Sequence, residues 1–289
     1  MKRAKLLGAT LLVGALGAAP EPAGAQASLT TGLGLYSSYV WRGASLTNKP
    51  VAQPDVYLSV PAGNASVTFG GWGNVELGRY DDANDDISES GGLSGLDLSE
   101  FNPYAEVSFP AGKATLTGGI IGYVYPNDLT DEANAGLDSD YNTVELYGTV
   151  GLDVPLSPSL SVYYDLDKID GAYIEGTVSH SLAASEKVSI DLGALAGFSA
   201  GQDCDGNILA ETCTNRFNFE DDGVTHVDLS AGLSLAAGAL SFTPQLHLVL
   251  NSDDVAKVTS PSELDSDAKL WGGVMISWSQ GFGDVADEE

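Results

Sequence analysis

The chain has 289 residues, 40 of them acidic and 12 basic, for a net charge of -28. An excess of this sign repels a phosphate backbone and argues against nucleic-acid binding. Beyond residue 27 there is no apolar run long enough for a membrane-spanning helix, so any passage through a bilayer must be made by strands.

Residues 1–27 read as a secretory signal peptide. Lys2, Arg3 and Lys5 form a positive start, 6–19 an apolar stretch, and Ala25-Gln26-Ala27 a small-x-small cleavage site. The apolar stretch is too short and interrupted to cross roughly 30 Å of hydrocarbon. Its removal leaves a net charge of -30.

The first predicted element is 29–43, LTTGLGLYSSYVWRG. Leu33, Leu35, Tyr39 and Trp41 fall on one parity, and Gly32, Gly34, Tyr36, Ser38 and Arg42 on the other. A period of two marks an extended strand with one apolar and one polar face. The pattern recurs at 55–60, 66–77, 100–109, 114–125, 141–154, 160–167, 172–182, 188–198, 224–235, 240–251 and 268–282, which makes twelve strands.

Five of the connections are tight, including PAGN at 61–64 and PAGK at 110–113, and six are longer or more polar. Short turns at one end and long loops at the other are the asymmetry of an outer-membrane barrel. An even strand count returns both ends to the periplasm. The expected fold is all-β: a transmembrane antiparallel up-and-down β-barrel of about 12 strands over 28–282, with an acidic tail at 283–289.

The charges decide which face is which. A charge facing lipid near the midplane costs roughly 2 to 4 kcal/mol for a base and less for an acid. Apart from His180, the charged residues of the strands share the polar parity, including Asp153, Asp167 and Lys269. The predicted pore-lining set is Arg42, Asp55, Tyr57, Glu76, Glu100, Tyr104, Glu106, Tyr123, Glu145, Tyr147, Tyr163, Asp165, Glu175, Asp191 and Asp228. A soluble β-sandwich would alternate in the same way. Against it stand two expected aromatic girdles, Tyr39, Trp41, Phe101 and Phe198 above, and Phe109, Phe242, Trp278 and Phe282 below.

An acidic lumen concentrates cations and repels anions, so weak cation selectivity is expected. The inward tyrosines either guide a solute by stacking or fill a narrow barrel. Arg42, a lone base in an acidic wall, is expected to brace it by pairing with Asp55 or Glu76. Gly71, Gly73, Gly118, Gly122 and Gly148 fall on the lipid parity, where bends or bulges would account for them.

Cys204 and Cys213 share one acidic stretch and are read as a local disulfide; two cysteines alone make a poor zinc site. Asp203, Asp205, Asn207 and Glu211 offer oxygen ligands for Ca²⁺, without the spacing of an EF-hand loop. His226 and Asp228 share a face and could pair, but no nucleophile completes a catalytic set, so neither enzyme chemistry nor a cofactor is expected.

The segment YSSYVWRGASLTNKPVAQPDVYLSV resembles the opening of the TorF family of outer-membrane porins. The likeness rests on Tyr39, Arg42, Gly43, Ser45, Thr47, Pro50 and Gln53, then Gly70, Gly71, Trp72 and Asn74. It implies a porin in the bacterial outer membrane and supplies no substrate or catalytic residue. The last strand, AKLWGGVMISWSQGF, is similar to the signal read by the barrel-assembly machinery. Expected partners are outer-membrane lipid, lipopolysaccharide, that machinery, and small solutes or cations. The expected function is a passive diffusion channel; the alternative is a non-conducting barrel or secreted β-sandwich whose acidic loops bind divalent cations or a partner.

Overall fold

The computed structural model describes residues 27–78, 96–126, 142–169, 171–202, 222–252 and 268–282. The cysteines, the Asp203–Glu211 ligand set and the tail therefore lie outside the described residues. Among the described residues there are fourteen strands: β1 Ala27–Tyr36, β2 Tyr39–Trp41, β3 Ala44–Thr47, β4 Val51–Ala62, β5 Ala65–Glu76, β6 Asp97–Ala111, β7 Ala114–Tyr123, β8 Thr143–Leu152, β9 Ser159–Asp165, β10 Ala172–Ser185, β11 Val188–Ala200, β12 Gly223–Ala237, β13 Leu240–Asn251 and β14 Ala268–Phe282.

Twelve of them form one closed antiparallel barrel, and β2 and β3 form a separate hairpin. Closure comes from β1, which pairs with β14 through Leu33 opposite Ile276 and with β4 through Leu33 opposite Pro54. Every wall strand is thus hydrogen-bonded on both sides, the condition for spanning hydrocarbon without orphaned backbone groups. One continuous ring also rules out the two-sheet sandwich.

The turn end of the barrel, which carries Ala27 and Phe282, is built from short hairpins. Gly63, Gly112 and Gly238 each take a positive φ at the first position of a two-residue turn, flanked by the pairs Ala62–Ala65, Ala111–Ala114 and Ala237–Leu240. Glycine occupies that position without steric cost, and the resulting turn matches the twist of its strands.

The outer face carries the apolar parity. Leu33, Leu35, Val56, Leu58, Phe69, Phe101, Val107, Phe109, Phe198, Phe242 and Phe282 are all exposed there. The buried core lies inside, in two clusters: Tyr36, Tyr39, Val40, Leu46, Val51, Val249 and Trp271, and then Tyr104, Ile121, Tyr123, Tyr147, Tyr163 and Tyr173. His180 points outward and is exposed, as its parity requires.

The expectation for the first strand is corrected. β1 stops at Tyr36, which pairs with Val51, and the residues between fold inward. Tyr39 is buried and Trp41 half-buried inside the barrel, so neither belongs to an aromatic girdle. The period of two runs on past Tyr36 because the hairpin is itself extended chain; alternation says nothing about which sheet a strand joins. Asp153 and Asp167 are also corrected, since both are exposed beyond the ends of β8 and β9.

Two bulges adjust the wall near the loop end. One at Asn74/Val75 turns both Ser99 and Glu100 inward, and one at Gly197/Phe198 does the same for Thr225 and His226. Each places one extra polar side chain in the lumen.

Candidate functional site

The hairpin β2–β3 crosses the lumen. Arg42 and Gly43 form its tip, with φ of 48° and 89°, the two-residue turn with both positions left-handed. It leaves the wall between β1 and β4, and β9 lies six strands away from β1 in either direction. The tip reaches that far side: Arg42 meets Glu145 of β8, Tyr163 of β9 and Tyr173 of β10.

The Arg42 guanidinium donates to both oxygens of Glu145 at 2.7 Å. Its carbon lies 4.4 Å from the Trp41 ring, 4.3 Å from Tyr173 and 5.1 Å from Tyr163, so the cation is faced by aromatic rings as well as by its counterion. Tyr123 donates a further bond to Glu145 at 2.9 Å. Arg42 is 5% exposed and Glu145 1%, which makes this a buried ion pair rather than a surface one. The expected pairing of Arg42 with Asp55 or Glu76 is corrected. Those carboxyls stand on β4 and β5, beside the root of the hairpin rather than its tip.

Nearer the root, Tyr39 donates to Glu100 at 2.8 Å, and Asn102 donates to the other oxygen of Glu100 at 2.7 Å. The Tyr39 ring also packs against Trp72 at 5.6 Å. Beside them runs a polar row in which Gln53 donates to Asn74 and Asn74 to Ser99. Val40 and Leu46 of the hairpin pack against Val51, Val249 and Trp271.

Every predicted lining residue faces the interior. Asp55, Glu76, Glu100, Glu106, Glu145, Asp165, Glu175, Asp191 and Asp228 are buried there, nine carboxyl groups against the single guanidinium of Arg42 among the described residues. Tyr104, Tyr123, Tyr147 and Tyr163 are buried with them, and Tyr57 is half-buried. Asp165 serves the wall: its side chain accepts from the backbone of Asp167, Lys168 and Ile169 and from Thr143.

The tyrosines lie along the wall. A Cβ added to Gly70 would come within 2.3 Å of the Tyr104 ring, and one on Gly119 within 2.4 Å of Tyr147. Each glycine is the direct cross-strand partner of its tyrosine. The missing side chain makes room for the ring to lie flat, and Tyr147 then donates to Glu106 at 2.6 Å.

His226 and Asp228 do not pair. His226 shares a hydrogen bond with Thr225, while Asp228 bonds His247 Nδ1 at 3.0 Å, and His247 stacks on Trp271 at 4.1 Å. Two residues apart on one strand, the first two share a face, yet the cross-strand neighbour is nearer. The sequence reading missed His247, Trp271, Gln53 and the inward hairpin itself. The available signal was Arg42-Gly43, a turn dipeptide inside an expected strand.

Toward the turn end the lumen changes character. Hydroxyl groups pair across neighbouring strands: Thr30 with Ser279, Ser59 with Thr68, Ser108 with Thr117, Thr149 with Ser161, Ser159 with Thr177, and Ser241 with Ser277. The interior thus has an ionic, aromatic tier around the hairpin and a hydroxyl-rich tier beneath it, in which the one buried carboxylate among the described residues, Asp191, accepts from Ser189 and from Ser234 at 2.6 Å.

A closed antiparallel barrel, apolar outside and polar inside, is the architecture of an outer-membrane β-barrel. The chain belongs to a family of bacterial proteins of unknown function, Gcw_chp, whose model matches residues 20–205. No curated protein matches it. Among solved structures it is similar to the COG4313 outer membrane channel from Pseudomonas putida F1, with 11% identity, a TM-score of 0.52, and coverage of 90% of this chain and 97% of that one. LpxR from Salmonella typhimurium matches with 10% identity, a TM-score of 0.45, and coverage of 87% and 99%. The Pseudomonas putida toluene transporter TodX matches with 9% identity, a TM-score of 0.42, and coverage of 89% and 90%. At these identities the likeness is one of fold.

Proposed function

We propose that this protein is an outer-membrane channel for small solutes, with a weak preference for cations. The observation that carries the reading is the lumen: nine buried carboxyl groups line it, and a hairpin carrying the guanidinium of Arg42 at its tip crosses it, held by polar bonds. Buried ionic groups are poor stabilisers compared with an apolar filling, and ionisable side chains at membrane depth mark solute paths. Similarity to an outer-membrane channel and the resemblance of residues 39–74 to TorF porins point the same way.

In this reading the leader at 1–27 directs export, the assembly machinery inserts the barrel with its turn end toward the periplasm, and the acidic loops face outward toward lipopolysaccharide. Planar-bilayer recording of the purified protein tests it. Discrete conductance steps with a reversal potential on the cation side are expected. Steps with an anion preference would overturn the selectivity.

A second reading is favoured by one observation. Tyr39, Val40, Arg42, Ser45 and Thr47 are each no more than 5% exposed, so the hairpin fills the loop-end half of the lumen. A permanently filled barrel would not conduct. A protein that folds, by its heat-modifiable gel mobility, and stays silent in the bilayer would establish that alternative.

A further inference from the structure

We infer that the hairpin β2–β3 is a charged gate, rooted at the barrel wall and latched at its tip by Arg42 and Glu145. The inference rests on the channel reading and adds how the channel opens.

The wall does not need the hairpin. Tyr36 and Val51 oppose each other directly in the β1–β4 ladder, so the ring is closed below the point where the chain turns in. Ser37 N–H donates to Gly272 C=O, and Leu77 N–H donates to Pro50 C=O, which fixes both roots to the wall. Between those roots the chain is a unit of its own. Tyr39 pairs with Thr47 and Trp41 with Ala44, and Ser38 Oγ donates to the Thr47 carbonyl at 2.5 Å. A stiff hairpin rooted at two adjacent wall strands can pivot without breaking the backbone ladder of the barrel, giving up only side-chain contacts such as the bond from Tyr39 to Glu100.

The latch sits where leverage is greatest. Arg42 is at the tip, on the opposite wall from the root, and its partners Glu145 and Tyr173 belong to that wall. Water admitted by the swing would hydrate both ions, and a buried ion pair gains little over its hydrated partners. The latch is therefore specific in geometry and inexpensive to open.

Charge gives the gate a direction. Residues 37–50 contain Arg42 and Lys49 and no acid, whereas the wall around them is acidic. A cationic element moves with the field. One elementary charge crossing the full membrane potential changes an open-to-closed ratio by about fifty-fold per 100 mV, so a partial displacement gives a several-fold change. Potential that is positive on the turn side should drive the tip toward the loop end and open the channel.

Single-channel recording of the full chain with Glu145→Gln, with the double variant R42Q/E145Q, and with residues 38–48 replaced by a short Gly-Ser link tests this. Folding of each is verified first by heat-modifiable mobility. E145Q is expected to raise the open fraction several-fold at unchanged step size, and R42Q/E145Q to lose most of the dependence on polarity. The Gly-Ser link should leave a channel that no longer closes. Wild-type and E145Q channels with equal open fractions would overturn the gate and leave the channel reading intact. Silence of the folded Gly-Ser variant would overturn both. A change in step size with no change in open fraction would make Glu145 a lining charge rather than a latch.

Discussion

Arg42 and Glu145 are 103 residues apart in the chain and meet inside the barrel, at the wall opposite the hairpin's root, through two 2.7 Å hydrogen bonds. Each is the principal answer to the other's charge. Removing one partner of a buried pair costs about 3 to 5 kcal/mol, because the survivor keeps its desolvation penalty. Arg42→Ala leaves Glu145 with Tyr123 as its remaining hydrogen-bond donor among the described residues. The single variants R42A and E145A should therefore each lose more stability than the double variant R42A/E145A, as measured by urea unfolding in detergent micelles. Equal losses in singles and double would mean that water already satisfies the survivor.

The inward hairpin predicts where the four tryptophans sit. Trp41, Trp72 and Trp271 are on the lumen side, packed against Tyr123, Tyr39 and His247 respectively, whereas Trp278 lies on the outward parity opposite the exposed Leu240. In single-tryptophan variants reconstituted with brominated lipid, only the one retaining Trp278 should be strongly quenched. Strong quenching of a Trp41-only variant would put the hairpin back in the wall.

The wall was legible in the sequence, and its filling was not. Val56, Leu58 and Val60 against Asp55, Tyr57 and Ser59 state a face directly, because a charge in lipid costs kilocalories and selection removes it. Each of the twelve predicted strands overlaps its observed counterpart, and the PAGN and PAGK turns fall where glycine takes a positive φ. The hairpin was hidden for a physical reason. Tyr39 and Trp41 suit a lipid girdle and an aromatic clamp equally well, and parity cannot choose between them. Pairings such as Arg42 with Glu145 or Asp228 with His247 depend on where separate strands come together around the ring. The glycines were partly legible: Gly71 looked anomalous on the lipid side, where the Phe101 ring covers it.

The fit of tyrosine on glycine is itself testable. A methyl group at Gly119 would stand 2.4 Å from the Tyr147 ring, far inside van der Waals contact. The ring must then leave the wall and give up its bond to Glu106. Overpacking of this kind costs about 1 to 3 kcal/mol. Gly119→Ala should destabilise the folded barrel by that amount in urea unfolding, and should do so far less in a Tyr147→Ser background, where no ring stands in the way. An equal cost in both backgrounds would locate the effect in the backbone of β7.

Selectivity and gating should separate by position. Glu106 and Asp228 are buried lumen acids on wall strands, and Asp228 is held by His247, so neither belongs to the latch. Their fields act on ions in transit. The variant E106Q/D228N should lower the cation preference while leaving the open fraction of wild type in place. The size of that change must depend on salt: the Debye length is about 30 Å at 0.01 M and about 3 Å at 1 M, against charges that act across the width of a lumen. Reversal potentials in dilute gradients should therefore fall clearly toward zero in the variant, and those in molar salt should scarcely differ from wild type. A shift of equal size at both ionic strengths would mean that these carboxyls touch the permeating ion directly rather than attract it from a distance.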